Sequence, residues 1–183
     1  MRPRFLRRKI NVAGIQSVLV IIGAFLFQAV IAPHISIMGT KPDIILIITA
    51  LYGFSHGPII GTAAGFSGGL LGDLLAGPHV GLGLISKSIV GFFSGLIQRT
   101  IFVENILLPM VAIFVATWLN EFVYVSFIYL VGDTIPMKLL LLKIILPTSI
   151  YNAVLTPFIY ALVRRFLVFK QDTPDVRIAG KYY

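Results

Sequence analysis

Four ionisable residues, Asp73, Lys87, Glu121 and Lys143, lie inside long apolar runs, and that combination leaves few folds open to this chain. Within lipid, such side chains face a bundle interior, find partners and mark functional sites. Of 183 residues, 57% are apolar and 12% charged. A soluble domain is roughly half apolar and about a quarter charged. Too little polar surface exists here to cover a soluble globule, so lipid must solvate much of the exterior. No cysteine is present, which excludes disulfides and thiolate metal sites.

A spanning helix needs about 20 mostly apolar residues. Six candidates fit, at about residues 11–32, 42–55, 58–76, 80–98, 105–131 and 137–166. The last two exceed a minimal span, which tilt or kinks at Pro147 and Pro157 accommodate. Short connections carrying glycine, proline or charge separate the six, so consecutive helices are antiparallel neighbours. The expected organisation is a basic tail over residues 1–10, one six-helix domain over 11–168, and a second basic tail over 169–183.

The net charge of +8 would suggest nucleic acid in a soluble protein, but its distribution points to a membrane. Eleven basic residues fall at the two ends and at Arg99, against Lys41 and Lys138 on the other side. That asymmetry predicts cytoplasmic termini in a plasma membrane, which an even number of spans also requires. The first apolar run is too long for a typical signal core, and Pro33 follows the one small-residue cleavage candidate, Ala32. An uncleaved anchor is expected.

With this topology all four intramembrane charges fall in the external half of the bilayer, and formally they cancel. Two ion pairs are the economical arrangement, because an unpaired buried charge costs several kcal/mol; which acid meets which base is left open. At 100° per residue, Lys87, Gly91, Ser94 and Gln98 share about 60° of helix four, and Thr117, Asn120, Glu121 and Tyr124 about 100° of helix five. Thr148, Tyr151 and Asn152 share a face of helix six; Lys143 points away from them unless Pro147 reorients one half. Asp73, Lys87, Asn120, Glu121, Lys143 and Asn152 are therefore the candidate polar cluster. It serves either as interhelical glue or as a ligand pocket.

Gly61, Gly65, Gly68 and Gly72 fall on about 60° of helix three, Gly69 widens that groove, and helix four offers Gly91 and Gly95. Glycines so spaced let another helix approach closely, from this chain or from a partner. Pro42 and Asp43 open helix two on the external side, where Asp43 suits the helix dipole and is also a candidate binding acid. No HExxH, GxSxG or phosphate-loop pattern occurs, and His34, His56 and His79 lie in three separate connections. Neither enzyme chemistry, a metal nor a cofactor is expected.

The order of segments resembles one family. Pro42–Asp43 begins an apolar helix ending in Ser55-His-Gly-Pro58, followed by Gly68-Gly-Leu-Leu-Gly-Asp-Leu-Leu-Ala-Gly77, Val80-Gly-Leu-Gly-Leu84 and Val90-Gly-Phe-Phe-Ser-Gly95. The last helix reads Tyr151-Asn-Ala-Val-Leu-Thr-Pro157, with Tyr160 and Arg164–Arg165 closing it. From about Pro42 to Arg165 this is similar to the rod shape-determining protein MreD family. The resemblance implies a non-catalytic inner-membrane component of the bacterial elongation machinery, organising lateral peptidoglycan synthesis and cell shape. Its implied partner is the single-pass protein MreC, with MreB, a RodA-type glycosyltransferase and its penicillin-binding partner reached indirectly, and anionic lipid at the basic tails. It also implies an all-α fold like the substrate-binding subunits of energy-coupling factor transporters. The alternative function is accordingly a vitamin or small-molecule binding subunit, although helix one has Ala13 and Ser17 where such subunits show an AxxxA surface.

Overall fold

The computed structural model describes residues 18–36, 39–76, 80–97, 107–132, 136 and 140–164. The basic tails expected over 1–10 and 169–183, together with Gln98, Arg99 and Lys138, lie outside the described residues. Among the described residues six helices follow one another: α1 Val18–Val30, α2 Ile44–His56, α3 Pro58–Ala76, α4 Leu82–Leu96, α5 Leu107–Val131 and α6 Leu141–Val163. Each coincides with one of the expected hydropathy runs; residues 11–17, 98, 105–106, 137–139 and 165–166 of those runs lie outside the described residues. Two of them, α5 and α6, are long and apolar enough to cross a membrane.

The second helix is the axis of the molecule. Every residue of α2 from Ile44 to Phe54 is buried. Its sequence explains this, because the run is apolar around its whole circumference and so has no face for water. Ala24 of α1, Ala64 of α3, Val90 of α4, Ile113 and Ala116 of α5 and Val163 of α6 all pack in the core it organises.

Outside that core the chain is built inside out. Asp73, Ser86, Ser94, Thr117, Asn120, Thr148, Ser149, Asn152 and Thr156 are buried, whereas Ile59, Phe122, Leu130, Phe158 and Leu162 are at least 70% exposed. A polar interior under a greasy exterior suits lipid, and water would penalise it. Most buried hydroxyls are satisfied within their own helix. Thr62, Ser88, Thr117, Thr148, Ser149 and Thr156 each donate to the carbonyl four residues earlier, at 2.6–2.8 Å. Of these six hydroxyls, among the described residues, only that of Thr117 is also engaged by another helix, accepting from Asn152 Nδ2.

Helices α3 and α4 make the tightest pair, as an antiparallel hairpin. A Cβ added at Gly61 would meet the Gly91 backbone, one at Gly65 the Lys87 backbone, and one at Gly69 the Gly83 and Leu84 backbone. Gly95 is filled by the Gly57–Pro58 backbone, and Gly68 faces Ile45 of α2. The glycine groove read from the sequence is thus occupied by this chain's own helices. Gly57 alone joins α2 to α3, and its φ of 88° is a conformation that side chains disfavour.

The start of α6 departs from a regular helix. Leu141–Ile145 is a π turn, closed by the Leu146 N–H on the Leu141 carbonyl. Pro147 has no N–H for the Lys143 carbonyl. The Thr40 hydroxyl donates to that oxygen instead, at 3.2 Å.

Candidate functional site

The N-terminus of α2 is the point where five elements meet. Asp43 caps it, its Oδ1 accepting from the Leu46 N–H at 3.0 Å. The Asp43 N–H donates to Asn152 Oδ1 at 2.9 Å, and the Ile44 N–H to Gln28 Oε1 of α1 at 2.8 Å. Asn152 is fully buried and passes the connection onward, its Nδ2 donating to Thr117 Oγ1 of α5 at 3.1 Å. Backbone donors that a helix end leaves open are thereby met by side chains from α1, α2 and α6.

The second oxygen of Asp43 holds the ion pair. Lys87 Nζ of α4 lies 2.7 Å from Asp43 Oδ2, with the two side chains 12% and 16% exposed. Close approach of α3 to α4 fixes this lysine, since the Lys87 backbone seats directly against Gly65. One carboxylate thus serves as helix cap, as the sequence suggested, and as the charge partner of Lys87, which the sequence did not.

Asp73 has a different task. Its Oδ2 accepts from the Gly81 N–H at 2.8 Å and the Leu84 N–H at 2.9 Å, and its Oδ1 from the Gly83 N–H at 3.1 Å. A carboxylate at the end of α3 thus neutralises the opening turn of α4, where the helix dipole is positive. This explains the spacing of the Gly-Asp block and the Val-Gly-Leu-Gly segment. Gly81 has a φ of 109°, and a Cβ at Gly83 would collide with the Asp73 carboxylate.

Two ion pairs were expected among Asp73, Lys87, Glu121 and Lys143; one forms among the described residues, and its acid is Asp43. The oxygens of Asp73 are taken by backbone amides. Lys143 lies apart with an exposed side chain on the π turn, because the phase that turns Thr148, Ser149 and Asn152 inward turns it outward. Glu121 accepts from the neighbouring Asn120 Nδ2 at 3.1 Å. The oxygen of that amide, Asn120 Oδ1, is buried without a hydrogen-bond partner among the described residues.

Asp43, Asp73, Lys87, Asn120 and Glu121 line one cavity of about 510 Å³. Gln28, Lys41 and Tyr124 line it too. Gln28 and Lys41 escaped the sequence reading; an amide within the apolar run of α1 and the charge before Pro42 were the signals available. Among the glycines, Gly69, Gly72 and Gly83 border the cavity. A second cavity of about 650 Å³ is apolar and lies between α1, α2 and α6, lined by Leu19, Gly23, Phe27, Ile48, Phe158 and Leu162 among others.

The family model described as rod shape-determining protein MreD matches residues 7–170, further at both ends than the motifs alone reach. Neither a curated protein nor a solved structure matches the chain significantly. Since the match spans nearly the whole sequence and includes the Gly-Asp hairpin whose geometry is given above, this chain belongs to the MreD family of rod shape-determining membrane proteins.

Proposed function

We propose that this chain is a non-catalytic, multi-pass component of the bacterial rod complex that binds MreC and helps organise lateral peptidoglycan synthesis. The observation that carries this reading is the family match over residues 7–170. In this reading all six helices cross the inner membrane, in an arrangement of the energy-coupling factor substrate-subunit kind, with residues 11–168 as the membrane domain. Both basic tails, 1–10 and 169–183, face the cytoplasm and add attraction to anionic lipid, about 1 kcal/mol for each basic residue held near the surface. MreB, the RodA-type glycosyltransferase and its penicillin-binding partner are reached through MreC.

The glycine groove of α3 is filled by α2 and α4, which speaks against it as the surface for MreC. The apolar cavity between α1 and α6 is the better seat for a partner's transmembrane helix. Gly23 opens onto it with nothing within 4 Å of an added Cβ. Small residues let helices approach closely in lipid. Gly23→Leu should fill this surface without disturbing the bundle, and should lower recovery of MreC in co-purification by at least fivefold. Full recovery would exclude the α1–α6 surface.

A second reading, the binding subunit of a vitamin or small-molecule transporter, draws on the polar cavity of about 510 Å³. Titration calorimetry of the purified protein against a vitamin panel tests it, and tight binding of any one member would promote it over the first.

A further inference from the structure

We infer that the cavity at the head of α2 binds a small zwitterion, its primary ammonium against Asn120 and Glu121 and its anionic end toward Lys41. This goes beyond the MreC-binding reading and stands or falls without it.

Two of the three carboxylates in the cavity already have their partners. Asp43 is held by Lys87 and by the Leu46 N–H, and Asp73 by three backbone amides. Glu121 differs. It accepts one hydrogen bond, from the adjacent Asn120 amide, and no base stands within ion-pair distance of it among the described residues. Beside it, Asn120 is 3% exposed with Oδ1 buried and unpartnered. An ionised carboxylate only accepts, so the Asn120 NH₂ must face Glu121 and its oxygen must face elsewhere. A buried acceptor left unpaired is costly, and a donor that fills it is rewarded.

Two neighbouring residues of the cavity lining that each offer an acceptor oxygen, one of them charged, match a primary ammonium, which has three N–H donors and no acceptor. Lys41 supplies the other half. It lines the same cavity, its side chain is exposed, and no carboxylate stands within ion-pair distance of it among the described residues. Phe25 and Ile45 give apolar wall for the carbons between the two charges. A cavity of about 510 Å³ is ample for such a molecule. A quaternary ammonium has no N–H and would leave Asn120 Oδ1 unpaired, so the site should discriminate against it.

The zwitterion can come from solution or be the headgroup of an aminophospholipid. The test uses the full chain in phosphatidylglycerol nanodiscs, titrated calorimetrically with O-phosphoethanolamine and with phosphocholine. In parallel, native mass spectrometry follows retention of phosphatidylethanolamine against phosphatidylcholine from mixed bilayers. Saturable binding of O-phosphoethanolamine supports a soluble ligand, and selective retention of phosphatidylethanolamine alone supports the lipid source. Glu121→Gln should weaken whichever is bound at least tenfold. Asn120→Asp adds a second carboxylate beside Glu121 and should strengthen it several-fold, which decides the matter if the first variant does not stay monodisperse. Absence of binding to both probes, equal binding of the choline compounds, or affinity untouched by Asn120→Asp would overturn the proposal.

Discussion

At the residue scale, Asp43 does the most with the fewest atoms. Its N–H, its Oδ1 and its Oδ2 meet α6, its own helix and α4 respectively. Removing one member of a buried ion pair strands the other, whereas replacing both can be nearly neutral. Lys87→Met should therefore lower unfolding free energy in detergent by about 3 kcal/mol, and Asp43→Asn, which keeps an N-capping oxygen, by less. The double variant should recover most of the loss. A denaturation double-mutant cycle measures the coupling, and strict additivity would mean that the pair contributes nothing together. Asp43 was legible in the sequence as a cap, since proline before an aspartate at a helix start is a local signal. Its pairing with Lys87 was not legible, because that contact joins residues 44 positions apart through the α3–α4 hairpin.

At the scale of elements, the glycines divide by what stands opposite them. Gly65 and Gly91 face backbone, which cannot yield, while Gly72 has only the Ile45 side-chain tip at 3.7 Å. Gly65→Ala or Gly91→Ala should force α3 and α4 apart and cost several kcal/mol, by analogy with overpacking of a close-packed core at about 1–3 kcal/mol per site or more. Gly72→Ala should be neutral or stabilising by up to about 1 kcal/mol, because alanine is the better helix former. Thermal unfolding of the three variants in one detergent separates these outcomes; equal effects would mean that helix packing does not depend on close backbone contact. Glycine spacing along α3 marked a groove, and helical phase read it correctly as one face. What fills that face depends on how the hairpin closes. The Asp73 contacts show the closure: a carboxylate eight to eleven residues upstream of the amides it caps holds the α3–α4 turn together.

For the molecule as a whole, a polar interior wrapped in exposed Ile, Leu and Phe is the arrangement a bilayer selects. If six helices span it, both ends should report from the cytoplasm. Fluorescent-protein fusions at residues 1 and 183 should both fluoresce, and cysteines placed in the tails should resist labelling from outside intact cells. A single end labelled from outside would remove the proposed topology. Local patterning by itself determined the number and order of the helices among the described residues, because apolar run length and breaker residues act over a few neighbours. It also determined the family, whose Gly-Asp hairpin is written in consecutive residues. Only the tertiary structure decided that α2 is the buried axis, that Lys143 lies outside the cluster while Gln28 and Lys41 join it, and that Glu121 and Asn120 are left with unfilled acceptors. Those outcomes depend on which faces of distant helices meet, and one chain's periodicity fixes a face without naming its neighbour.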